Sequence, residues 1–148
     1  MDPDLEPLER FLSAGMEEHY SEKAIEYAVN PRNVGSIDGA DGFACITGPC
    51  GDTMEIWLKV TGDRVSGATF YTDGCGATIA AGSMVTELAK GKTTAEAQRI
   101  GQQEIMHALH GLPEDHQHCA LLAANTLKGA LADFRAMQKE PWKKAYRK

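Results

Sequence analysis

The chain has 148 residues and a formal net charge of −6, which is enough length for one domain with its own core but the wrong sign for a nucleic-acid backbone. No apolar run approaches the roughly 20 residues that span a bilayer, so nucleic-acid binding and membrane insertion are both set aside as main functions. The opening Met1-Asp2-Pro3-Asp4-Leu5-Glu6 is acidic where a secretory signal would be basic, and a cytoplasmic location is expected. There the four cysteines would stay reduced, which favours metal binding or catalysis over disulfides.

Residues 1–18 read as an N-terminal extension, with Leu5, Leu8, Phe11 and Leu12 at helical spacing in a short amphipathic helix that ends near Gly15. Ser21 is an N-cap for a helix through Val29, stopped by Asn30-Pro31. After a turn-rich stretch from Gly35 to Gly42, Phe43–Thr47 is a strand running into the loop Gly48-Pro49-Cys50-Gly51-Asp52. Met54, Ile56, Leu58 and Val60 alternate with Glu55, Trp57 and Lys59, the pattern of a half-buried strand. Thr61–Arg64 turns the chain, and Val65–Thr72 returns as a third strand of an antiparallel meander.

Cys75 ends that strand and opens a helix whose Ala77, Ala80, Ala81, Met84, Val85 and Leu88 form one apolar stripe, closed by Gly91. Thr93 and Glu96 make a capping box for the next helix, and a further short helix runs to His110 before Gly111-Leu112-Pro113. The last helix starts close to Cys119 and buries Ala120, Ala123, Ala124, Leu127, Ala130, Leu131 and Phe134. The folded domain is expected over residues 19–140. A basic tail follows over 141–148, where Lys143, Lys144, Arg147 and Lys148 form a solvated cluster. The fold class is α+β: a small antiparallel three-stranded sheet with helices packed on one face.

Three loops carry the chemistry. Cys50 and Asp52 set a thiol and a carboxylate two residues apart in a Gly-Pro-Gly turn, a soft and a hard donor together, which suits iron or zinc in a labile site. Thr72-Asp73-Gly74-Cys75-Gly76 and His116-Gln117-His118-Cys119 add further donors. Cys75 and Cys119 stand near helix starts, where free N–H groups favour the thiolate. The structural alternative, cysteines as small buried hydrophobes, fits Cys45 best, since it lies inside a strand with no turn residue beside it. His118 adjoins Cys119, and His116 could face the same way. His107 and His110 read as surface residues of a short helix.

From about Tyr20 to Phe134 the chain resembles the IscU/NifU-type iron–sulfur cluster assembly scaffolds. The resemblance rests on Tyr20-Ser21-Glu22-Lys23, Asn30-Pro31-Arg32-Asn33-Val34-Gly35, Pro49-Cys50-Gly51-Asp52, Gly74-Cys75-Gly76, Val85-Thr86-Glu87, Lys90-Gly91-Lys92 and His118-Cys119, in that order. It implies a SufE/NifU-like fold and a scaffold without turnover of its own. Cys50, Cys75 and Cys119 would be cluster ligands, with Asp52 or His118 near the fourth position. The cargo would be a 2Fe-2S cluster, with zinc as an occupant of the cluster-free protein. The cluster would be built from ferrous iron, sulfur from a cysteine desulfurase of the IscS/NifS type and electrons from a ferredoxin-like donor, then passed to apo iron–sulfur proteins. A homodimer is allowed for the cluster-bound form. Cys119, read as lying on the loop before the last helix, would swing out as the persulfide acceptor.

Two departures matter. The family's Hsp70-recognition segment reads Leu-Pro-Pro-Val-Lys, whereas Leu112-Pro113-Glu114-Asp115-His116 stands here, so a dedicated Hsp70 partner is not expected. The insertion that marks the zinc-dependent SufU branch, between the second and third cysteines, is missing. Two rivals remain: a zinc-binding sulfur-relay or structural module using Cys50, Cys75, Cys119 and His118, and a cysteine enzyme using Cys119 with a histidine.

Overall fold

The computed structural model describes residues 20–142, so the helix expected within 1–18 and the basic cluster of 143–148 lie outside the described residues. In chain order the elements are α1 (Glu22–Val29), β1 (Gly42–Thr47), β2 (Thr53–Thr61), β3 (Arg64–Thr72), α2 (Gly76–Ala89), α3 (Thr94–Ala97), α4 (Gln102–Ala108), a 3-10 turn (Glu114–His116) and α5 (Gln117–Lys139). The three strands form one antiparallel sheet in the order β1-β2-β3.

Alternation decides the two faces of the sheet. Met54, Ile56 and Leu58 of β2 are buried, as are Val65, Ala68 and Phe70 of β3. The odd spacing from Val65 to Ala68 has a cause. Pairing shifts from Lys59↔Gly67 to Val60↔Val65, so Ser66 is an extra residue, and the bulge returns Val65 to the buried face. Burying each large side chain contributes about 1.5–3 kcal/mol, and the helices α2 and α5 supply the cover. The opposite face carries the Phe43–Trp57 ring pair, centroids 5.2 Å apart, and the exposed Tyr71. Cys45 is on that exposed face too, which corrects the expectation of a structural, buried thiol.

Helix α2 is more deeply buried than a single stripe predicts. Besides Ala77, Ala80, Ala81, Met84 and Val85, its polar Thr78, Ser83 and Thr86 are fully buried, because α1, α5 and β3 pack around it. Small residues permit this closeness. A Cβ on Gly82 would stand 2.4 Å from Phe70 Cδ2, so the helix can rest on that ring only where the side chain is absent. The buried hydroxyls are satisfied: Thr86 donates to Gly82 O, and Ser83 to Tyr27 O.

The segment after α1 clasps α2 to the sheet. Asn33 takes a positive φ of 63° and donates through Nδ2 to Thr86 Oγ1 and Glu87 Oε1, while Lys90 Nζ donates to its Oδ1. Phe70 N–H donates to Asn33 O, and Gly35 N–H to Phe70 O. Just beyond the same end of α2, Gly91 N–H donates to Val65 O and Val65 N–H to Lys92 O.

Ser21 caps α1 through Ala24 N–H, and Thr93 with Glu96 forms the expected capping box, although α3 is only a four-residue turn. Helix α4 ends at Ala108, two residues short of the expected His110, because His110 and Gly111 both adopt positive φ and reverse the chain. Among the described residues no helix is long and apolar enough to cross a membrane.

Candidate metal centre

Cys75 is the N-cap of α2, held there by the strand–turn–helix junction Thr72–Gly76. Thr72 Oγ1 donates to Thr53 O and accepts from Gly74 N–H, and Thr53 N–H donates to Asp73 Oδ1. These bonds tie the end of β3 to the start of β2 and therefore to the Cys50 loop. In that loop Gly51 has φ 92°, Gly51 N–H donates to Gly48 O, and Gly48 N–H donates to Asp52 O. Cys50 is exposed at its tip.

The third donor segment differs from expectation. Cys119 and His118 lie in the first turn of α5 rather than in a loop, and Cys119 is 1% exposed. The reason lies upstream, where the reversal at His110–Gly111, the buried Leu112 and the 3-10 turn deliver the chain into α5 early. His118 Nε2 stands 3.8 Å from Cys119 Sγ.

Among the described residues one compact donor set stands out, Cys75, His116 and Cys119, whose ligand atoms all lie within 4.8 Å of one another. The ring of His116 is tilted 46° against Tyr20 and nearly parallel to His118, and its Nδ1 is buried with no hydrogen-bond partner among the described residues. An imidazole with an orphaned buried nitrogen, one of whose ring nitrogens lies within 4.8 Å of two thiols, suits a borderline-soft metal ion. Sequence reasoning had left His116 behind His118. The i, i+3 spacing from His116 to Cys119 was the usable signal. Asp52 joins the group through Thr78, whose Oγ1 donates to Asp52 Oδ2 at 3.0 Å and lies 3.3 Å from Cys119 Sγ and 3.7 Å from Cys75 Sγ.

Electrostatics divides the two central thiols. The Cys119 thiol donates to the Cys75 sulfur, and the Ala77 and Thr78 N–H groups at the helix start favour the same thiolate. Together they outweigh burial and lower the Cys75 pKa to about 4. Cys119, as the donor of that bond and buried, is pushed strongly up, and the charge of the Cys75 thiolate adds to this. The expectation that both thiols ionise readily therefore holds for Cys75 and fails for Cys119. A helix start favours one thiolate, and the neighbouring thiol must then keep its proton.

The NifU-like N terminal domain family matches residues 19–141. The chain belongs to that family. A relative named iron-sulfur cluster assembly scaffold protein IscU 1, from Archaeoglobus fulgidus, is 47% identical over 116 residues, 78% of this chain and 76% of the relative. The Escherichia coli K12 scaffold protein IscU is 43% identical over 122 residues, 79% of this chain and 94% of its own. Two solved structures share the fold. The NifU-like N-terminal protein from Brucella abortus has a TM-score of 0.64 at 18% identity, covering 81% of this chain and 96% of its own. A putative SUF-system scaffold from Fervidobacterium islandicum has a TM-score of 0.63 at 22% identity, covering 76% and 96%. The motifs that carry this NifU-like membership divide by role: Asn30–Gly35, Val85–Glu87 and Lys90–Lys92 build the clasp on α2, while Cys50, Asp52, Cys75, His118 and Cys119 gather at one end of the sheet.

The uneven thiols have a direct readout. In metal-free protein, iodoacetamide should alkylate Cys75 at a rate nearly constant from about pH 5.5 to pH 8, because its thiolate is complete above a pKa of about 4. An ordinary thiol would accelerate roughly a hundredfold or more across that range. Cys119 should stay unlabelled until the chain is denatured. Peptide-resolved mass spectrometry measures both, and a Cys75 rate that climbed like an ordinary thiol's would refute the assignment.

Proposed function

We propose that this chain is a scaffold on which a 2Fe-2S cluster is assembled from ferrous iron and desulfurase-derived sulfur and then handed to apo-protein acceptors. The observation that carries the reading is the gathering of Cys75, Cys119, an imidazole and Asp52 at one end of the sheet, with the exposed Cys50 on the adjoining loop. The ligands are Cys50, Cys75 and Cys119, with Asp52 and His118 bordering the remaining position. The chain acts as a carrier rather than an enzyme, in the reducing cytoplasm, and a cluster-bound homodimer is compatible with ligands so close to the surface.

Sulfur arrives once the first turn of α5 opens and exposes the buried Cys119. Freed from its bond to Cys75, the thiol gives its proton to water; the thiolate then attacks the outer sulfur of the desulfurase persulfide, a new S–S bond forms and the desulfurase thiolate leaves. The first turn of α5 has no side-chain cap, and a missing cap lowers the cost of opening by about 1 kcal/mol. Building the cluster from two sulfane sulfurs needs four electrons: two come from ferrous iron becoming ferric and two from a ferredoxin-like donor. The close Cys75–His116–Cys119 set also suits a single zinc ion, which supports zinc as an occupant of the cluster-free protein and keeps a zinc module as the second reading.

Anaerobic incubation with iron, a desulfurase, cysteine and reductant should give visible charge-transfer bands and acid-labile sulfide. Serine at Cys50, Cys75 or Cys119 should each cut the yield at least about tenfold. After one desulfurase turnover, mass spectrometry should find the added sulfur on Cys119. A colourless, zinc-loaded product from the parent favours the zinc module, and persulfide confined to Cys50 removes Cys119 from its role.

Asp52 supplies an exchangeable oxygen donor that also admits water. Asp52→Ala should make the cluster roughly tenfold longer-lived and slow its transfer, as followed by bleaching and by acceptor loading. Faster loss than in the parent would make Asp52 an obligatory ligand instead.

Direct transfer without a dedicated Hsp70 follows from Leu112–His116. Leu112 is buried, and Glu114–His116 forms a 3-10 turn with a carboxylate where an apolar anchor would be needed. Desolvating that unpaired charge costs several kcal/mol. A Gly111–His118 peptide should leave an Hsp70 ATPase unstimulated, whereas one carrying Glu114→Pro, Asp115→Val and His116→Lys should stimulate it. Strong stimulation by the unaltered peptide would count against the proposal.

A further inference from the structure

Thr78 stands at the third position of α2, fully buried, with its hydroxyl among three of the proposed ligands. Its Oγ1 is 3.0 Å from Asp52 Oδ2, 3.3 Å from Cys119 Sγ and 3.7 Å from Cys75 Sγ. A hydroxyl has one proton to donate, and a carboxylate is the stronger acceptor. The chain makes room for this side chain: a Cβ on Gly74 would stand 2.7 Å from both Cβ and Oγ1 of Thr78. The loop bearing Asp52 is a turn with Gly51 at positive φ, closed by two backbone bonds that leave the Asp52 side chain to be oriented by its own partner.

We infer that Thr78 is a positioning residue that holds the Asp52 carboxylate beside the Cys75–Cys119 pair by hydrogen bonding its Oδ2, leaving Oδ1 free to bind an incoming metal ion. The inference deepens the scaffold reading and rests on it for the nature of the cargo. Thr78 itself does not have to touch the metal. A partner of this kind, which fixes a ligand from behind, typically changes metal affinity ten- to a hundredfold when removed. Val keeps the shape of Thr and loses the hydroxyl, while Ser keeps the hydroxyl.

The test uses cobalt(II) added anaerobically to the metal-free full chain, read by its ligand-field and thiolate charge-transfer bands. Thr78→Val should weaken cobalt binding about tenfold with an unchanged circular dichroism spectrum, and Thr78→Ser should restore it. Asp52→Ala should weaken binding as well, because a single ion enters by way of the exchangeable oxygen donor. Adding Thr78→Val to Asp52→Ala should then have no further effect. Parent-like cobalt affinity in Thr78→Val overturns the inference, as does an equal loss in the Asp52→Ala background, a Ser variant no better than Val, or a parent that takes up no cobalt. A parent that binds cobalt normally and builds no cluster would instead defeat the scaffold reading and leave the role of Thr78 standing.

Discussion

Helix α2 lies flush against β3, and Cys75 and Thr78 take their places from that contact. The absence of a side chain at Gly82 lets the helix rest on the Phe70 ring. A helix fixed this closely has a fixed start, and its start is Cys75. The clasp at Asn33, Thr86, Glu87 and Lys90 keeps the far end from rolling, so the N-cap thiol and Thr78 have a defined height above the sheet end. Adding a methyl at Gly82 would overpack this contact at a cost of about 1–3 kcal/mol, because the Phe70 ring would have to shift.

With that geometry set, two thiols and a hydroxyl meet with too few protons for all of them. Cys75 holds the free N–H groups of the helix start and accepts from Cys119; it becomes the thiolate and Cys119 the protonated donor. The buried Tyr20 nearby responds the same way: burial, then the charge of the Cys75 thiolate, holds its hydroxyl protonated far above the ordinary range. One anion is thus stabilised at the expense of every neighbour, the condition in which an arriving cation gains most.

Much of this was legible in the residues, for identifiable reasons. The alternation in Met54–Val60, the Ser21 cap and the Thr93–Glu96 box are local signals, and each element formed where they pointed. Cys75 was legible because Gly74 and Gly76 flank it at a strand–helix junction. Cys45 was misjudged because the period-2 pattern of β1 is too short to tell its faces apart, and α5 covers the face of Ala44 and Ile46 instead. Cys119 was assigned to a loop because Pro113 and the polar run after it look like one. The positive-φ pair His110–Gly111 turns the chain back so sharply that α5 begins two residues before that thiol. Thr78 gave no local signal at all, since its partners come from Asp52 and Cys119, 26 and 41 residues away.

The donor segments also differ in stiffness, and this bears on how a cargo could both form and leave. Cys75 is anchored by a helix buried on three sides. The Cys50–Asp52 loop is a glycine turn held by two backbone bonds, and the start of α5 lacks a side-chain cap. A site of three rigid thiolates would bind tightly and release slowly, as structural zinc sites do. Under the scaffold reading proposed above, one rigid wall facing two softer ones would let donors be withdrawn singly, Asp52 before any thiolate, so that each step would cost a fraction of the whole binding energy. The rigid wall keeps the geometry for the next cycle. The soft segments lie on the side that a donor or an acceptor protein can reach, and the exposed Cys50 is on one of them. Stability and lability are therefore assigned to different elements of the same fold, and the boundary between them runs through the hydrogen bond from Thr78 to Asp52.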